Sequence, residues 1–152
     1  MEVRKAVITA ERFIQELIFL IQHEEFEYGV NTKADALVRR YIELYPFHTR
    51  DWINEAYIRY FANVPILVGL LRVIARLDYE EIYPQGHMMA VVALNHKDTE
   101  VKDCGVRAFE SWGTLESLTI LETLHVSPQW LQKYVERVIF YLREEHKASA
   151  SV

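Results

Sequence analysis

Both ends and one face of a helix are written into residues 98–113, DTEVKDCGVRAFESWG, and the same arrangement recurs along the chain. Val101, Cys104, Gly105, Ala108, Phe109 and Trp112 fall at i, i+3, i+4, i+7, i+8 and i+11, one stripe of an α-helix. Lys102, Asp103, Arg107 and Glu110 take the opposite side. Asp98 is placed to accept hydrogen bonds from the first free amides, Glu100 suits the positive end of the helix dipole, and Gly113 can adopt the left-handed turn that ends it. Gly105 costs about 1 kcal/mol relative to alanine in a helix interior. That cost is tolerable where the missing side chain lets its hairpin partner, the helix that follows at Thr114, approach closely.

Thr114 then caps a second helix with Leu115, Leu118, Leu121 and Leu124 at threefold spacing, and so short a connection makes an αα-hairpin. SPQWLQKYVERVIFYL (127–142) starts on a Ser127 cap with Pro128 in the first turn, and turns Leu131, Tyr134, Val135, Val138 and Leu142 inward. TRDWINEAYIRYF (49–61) puts Trp52, Ile53, Ala56, Tyr57, Tyr60 and Phe61 on one face and closes at Asn63, after which Pro65 opens PILVGLLRVIARL. TAERFIQELIFLIQHEEFE and NTKADALVRRYIELYP form another pair, parted by Gly29 and ended by Pro46; HMMAVVALNH supplies a short helix leading back to Asp98. About eight helices, short connections and no strand pattern make the chain all-α.

DTEVKDCGVRAFESWG followed by TLESLTILETL resembles a HEAT repeat: an Asp cap, then Val and a basic residue, small and aromatic residues facing inward, a terminal Gly, and a leucine-rich second helix. The likeness extends in degenerate form over 49–77 and 127–143, with a Trp before the terminal Gly and an irregular stretch at 78–86 as departures. It implies a short right-handed α–α superhelix, with residues 1–147 as a single helical-repeat domain and 148–152 as a frayed tail. One helix pair cannot bury its apolar face alone, and stacked neighbours complete each other's core. A closed bundle of the same helices satisfies the same periodicity.

A net charge of −5 opposes binding to nucleic acid by phosphate neutralisation, which needs clustered Lys and Arg. The basic residues lie scattered in small groups such as Arg4-Lys5 and Arg39-Arg40. The acidic ones gather at Glu24, Glu25 and Glu27 and again at Asp78, Glu80 and Glu81, with no Lys or Arg between Arg76 and Lys97. A partner selected by charge is therefore expected to be basic. One cysteine, Cys104, excludes an internal disulfide or a multi-cysteine metal site, and on the apolar stripe it reads as packing. No apolar run approaches the ~18 residues of a membrane span, and MEVRKAVITAERF lacks the apolar core of a secretory signal. A cytoplasmic location is expected, with no membrane association.

Three places could carry chemistry. His23 and Glu27, at i and i+4, suit a solvated acidic helix end better than a metal site, since no second spaced pair accompanies them. Arg72 and Arg76, one turn apart on an otherwise apolar and therefore central helix, could grip an anion; the plainer alternative has their stems covering apolar surface and their heads reaching water or Asp78 and Glu80. DYEEIYPQGH (78–87) breaks the helical period and sets Tyr79, Ile82 and Tyr83 beside Asp78, Glu80 and Glu81. An interface core with an acidic rim uses such residues, and so does a plug that fills a gap in a degenerate repeat.

No nucleotide-binding loop, nucleophile elbow or carboxylate dyad stands out, so no catalytic residue, metal or cofactor is expected. The resemblance implies a protein-binding adaptor or scaffold. Two alternatives stay open: an acidic inhibitor or immunity-type protein that blocks a basic partner, and a HEAT-like enzyme or subunit, bilin-lyase-like or alkyl-base glycosylase-like, the latter opposed by the acidity.

Overall fold

The computed structural model describes residues 2–150. These form nine helices and no strand: α1 (Val3–His23), α2 (Lys33–Leu44), α3 (Pro46–Arg59), α4 (Val64–Ala75), α5 (Tyr79–Ile82), α6 (Gln85–Leu94), α7 (Thr99–Trp112), α8 (Leu115–Glu122) and α9 (Gln129–Ala150). The all-α class holds. Of the stretch 148–152, residues up to Ala150 continue α9, and Ser151 and Val152 lie outside the described residues.

Local chemistry sets the boundaries. Thr32 Oγ1 accepts the Asp35 amide at 3.1 Å while the Thr32 amide donates to Asp35 Oδ2 at 2.8 Å, a reciprocal cap that starts α2. Asn63 Oδ1 accepts from the Ile66 amide at 3.2 Å to start α4. At α7, Asp98 Oδ1 accepts from the Val101 amide at 3.1 Å. The helix ends where Gly113, at φ +58°, donates its amide to the Phe109 carbonyl at 2.9 Å. Pro46, expected to end one helix, instead opens the next: it occupies the first turn of α3, where its missing N–H has no helical partner to lose.

Burial gathers the helices around two apolar clusters. The first draws Phe13, Ile14 and Leu17 from α1, Val38 from α2, Ile53 and Ala56 from α3, and Leu67, Leu70, Leu71 and Ile74 from α4. The second joins Leu118 and Leu121 of α8 to Leu131, Val135, Val138 and Leu142 of α9. Helices α6 and α7 supply both. Met89, Ala93, Val101 and Cys104 belong to the first cluster; Ala90, Leu94, Val106, Ala108 and Phe109 belong to the second. Each fully buried aliphatic or Phe side chain contributes about 1.5–3 kcal/mol relative to exposure. α4 is central as its composition requires, packing against α1, α2, α3, α6 and α7.

Two expectations are corrected by this packing. The helix that approaches Gly105 is α6, not the α8 partner of the short hairpin: a Cβ at Gly105 would lie 3.1 Å from the Ala90 carbonyl oxygen and 3.1 Å from Ala93 Cβ. His23 and Glu27 do not share a helical face, because α1 ends at His23 and Glu27 sits in the connection to α2. His23 Nδ1 instead hydrogen-bonds the Phe19 carbonyl at 2.8 Å.

Candidate functional site

The irregular stretch at 78–87 is ordered into one helical turn, α5, a cis Tyr83–Pro84 peptide and the start of α6 at Gln85. The turn is fastened from the α2 and α3 side. Arg50 on α3 donates from Nη2 to the Glu80 carbonyl at 2.8 Å and from Nε to the Glu81 carbonyl at 2.9 Å, and Arg39 on α2 pairs with the Glu81 carboxylate at 2.6 Å. Burial alone would raise the Glu81 pKa; the Asp78 amide, donating at 2.9 Å, and the Arg39 guanidinium outweigh it and hold the carboxyl below its ordinary range. Ile82 is fully buried in the first cluster.

The outer face of this turn is aromatic. The Tyr79 ring lies 5.2 Å from Tyr83, 5.9 Å from His87 and 5.5 Å from Trp112, centroid to centroid. Its hydroxyl shares a hydrogen bond with His87 Nδ1 at 3.0 Å. Phe109 backs the group, 5.5 Å from His87 and 5.6 Å from Trp112. Trp112 is itself located by its Nε1–H, which donates to the Leu77 carbonyl at 3.2 Å, so the end of α7 meets the end of α4 here. Tyr83 is 49% exposed and neighbouring Met88 55%, which leaves an apolar step on the surface. Among the described residues, Asp78, Glu80 and Glu116 form no ion pair. The Tyr79 hydroxyl pKa is raised, first by burial and then by the charge of Glu116, with smaller contributions from Tyr83 and Glu80.

The six residues singled out in 78–83 therefore divide. Ile82 is a core plug and Glu81 a structural anchor, whereas Asp78, Glu80 and Tyr83 face solvent and Tyr79 lies half-buried between. Sequence reasoning missed His87, Met88, Trp112 and Glu116. Trp112 carried a signal, because it was the aromatic that departed from the repeat pattern just before the terminal glycine.

Arg72 and Arg76 are brought together, but around a ring. The Phe26 centroid lies 4.0 Å from the Arg72 guanidinium carbon and 4.7 Å from that of Arg76. Arg76 pairs with Asp35 and donates to the carbonyls of Val30 at 2.8 Å and Glu27 at 3.2 Å; Arg72 reaches Glu100 at 3.6 Å. Neither touches Asp78 or Glu80, the partners that the sequence suggested. Arg76 is occupied in fastening the α1–α2 connection. A cavity of about 190 Å³ beside the pair is lined also by Cys104 and Arg107. Burial pushes the Cys104 thiol up to about 11, the direction of an inert packed cysteine.

Among the described residues no three His, Cys, Asp or Glu side chains converge as a metal site, and no helix is long and apolar enough to cross a membrane. No protein-family model, curated protein or solved structure matches the chain.

Proposed function

We propose that the protein is a non-enzymatic interaction module that binds a basic protein partner through the Tyr79–Tyr83 step and its carboxylates. The observation that carries this reading is the pairing of an exposed aromatic step with three carboxylates that form no ion pair among the described residues, Asp78, Glu80 and Glu116. Rings held rigidly from behind lose little conformational entropy on binding, and carboxylates at the rim steer a cationic surface into place. HEAT-like stacking belongs to the same reading. Its support is the α6–α7 pair, which lies between two apolar clusters as neighbour-completed cores require.

A second reading, an inhibitor or immunity-type protein, rests on the same carboxylates without ion pairs, which would stand where a basic partner's anionic substrate binds. Affinity capture from native extract with the wild type, Tyr83→Ala and a Glu80→Gln/Glu116→Gln variant tests both. A stoichiometric basic partner that is retained by the wild type, weakened by Tyr83→Ala and released as salt rises supports the module; inhibition of that partner's own activity selects the inhibitor. A partner held equally by all three proteins removes this surface from the account.

A further inference from the structure

Four of the basic residues that look scattered in the sequence line one groove. Arg4, Lys5 and Arg12 of α1 and Arg40 of α2 line an open cavity of about 700 Å³, with Glu2 as its single carboxylate. This local excess of positive charge stands out on a chain whose net charge is −5. Among the described residues none of the four cations forms an ion pair, whereas six of the other eight arginines, at positions 39, 59, 72, 76, 107 and 143, each do; Arg50 and Arg137 do not. The first turn of α1 carries no acidic side chain and its N-cap no side-chain hydrogen bond, so Arg4 and Lys5 add positive charge where the helix dipole already favours an anion. An arrangement that stability does not favour asks for a ligand from outside.

We propose that this groove is a second docking site, independent of the Tyr79–Tyr83 step, for an acidic segment of a partner protein that carries an apolar anchor. The walls decide the class of occupant. Ile8 and Leu44, 57% and 61% exposed, offer apolar contact inside a ring of cations, which suits a side chain flanked by carboxylates. A single-stranded nucleic acid needs open ring faces for its bases. Tyr41 offers none, since it is 7% exposed and its ring is covered by Phe13 at 4.7 Å, Tyr45 at 6.0 Å, Trp52 at 6.3 Å and the Arg40 guanidinium at 5.5 Å, and Tyr45, the other ring on the groove, is partly buried against Tyr41 and Trp52. A lipid bilayer is flat and cannot enter a cleft between two helices, whereas a peptide can.

The test is fluorescence anisotropy on the full chain, with labelled glutamate-rich peptides that carry a central Leu, Phe or Ala, lysine-rich counterparts and vesicles containing phosphatidylserine. Wild type should bind the acidic Leu or Phe peptides over the Ala peptide and the lysine-rich ones. Arg12→Glu/Arg40→Glu should weaken that binding about tenfold or more, Arg12→Gln/Arg40→Gln less, and Tyr83→Ala not at all, with circular dichroism reporting that each variant is folded. No acidic peptide bound above the lysine-rich controls overturns the proposal, and so does binding that survives charge reversal in a folded variant. Binding of the vesicles with none of the peptides assigns the groove to a membrane surface and overturns it as well.

Discussion

Arg76 on α4 pairs with Asp35 on α2, the same carboxylate that receives the Thr32 amide at the start of that helix. One side chain thus serves as both helix cap and inter-helix clamp, and the pair is largely screened from solvent, with 23% and 11% of the two side chains exposed. Asp35→Ala is expected to cost about 2–3 kcal/mol, the sum of a lost cap and a charge left without its partner. Asp35→Asn, which can still accept the Thr32 amide, should cost less. Urea unfolding of both, with Arg76→Ala completing a double-mutant cycle, measures the coupling; a coupling near zero would mean that the clamp contributes nothing.

Ile82 and Tyr83 are adjacent in the chain and opposite in role. Ile82→Ala should destabilise by about 2–5 kcal/mol, as a large side chain removed from a closed core does. Tyr83→Ala should shift stability by less than about 1 kcal/mol, because half its surface is already in water. Thermal or chemical unfolding separates the two, and a large loss from Tyr83→Ala would argue that this ring packs instead of binding.

Gly113 ends α7 at φ +58°, where an added Cβ has ordinary room, 3.6 Å from the Glu110 carbonyl oxygen and from Leu142 Cδ2. The penalty for Gly113→Ala is therefore one of backbone conformation, about 1–2 kcal/mol. Gly113→Asn should recover part of it, since asparagine tolerates the left-handed region better than alanine. Equal losses from the two substitutions would point to a clash instead.

Tyr57 gives the fold an alkaline limit. Its hydroxyl donates to the Met89 carbonyl at 3.2 Å, and burial pushes its pKa up to about 12 from the ordinary 10. The unfolded chain releases this proton first, so the contribution of the neutral phenol is complete below pH 10 and falls as the pH rises through 10 to about 12. A shift of this size amounts to about 2–3 kcal/mol. Tyr57→Phe should flatten the fall in unfolding free energy over that interval, leaving the contributions of Cys104 and Tyr134, whose pKa values are also raised. An unchanged pH profile in Tyr57→Phe would show that another group sets the limit.

Capped helices were legible because their instructions are local. Asp98 and Thr114 each cap the helix assigned to them, and the five α9 residues expected to face inward are all buried; Asn63, read as the close of the helix before it, instead caps α4. Local signals do not say which helix meets which. That is why Gly105 was paired with the wrong neighbour, and why Arg76 was joined to acids close by in sequence although its partner is Asp35, 41 positions away. The aromatic step was half visible. Tyr79 and Tyr83 share one segment, but Trp112 arrives from another helix, located by a bond to Leu77 that no periodicity announces.

Because α6 and α7 give side chains to both apolar clusters, they form a wall that the two halves of the molecule share. Opening α8 and α9 would strip one side of α7, and loosening α1 through α4 would strip the other. In hydrogen exchange, the amides of Cys104 to Phe109 should then be released only by the opening of the whole chain, while the distal turns of α9 beyond Leu142 exchange on their own. A ligand held at either end would slow exchange in that shared wall, so occupancy of one surface would be felt as added stability by the other.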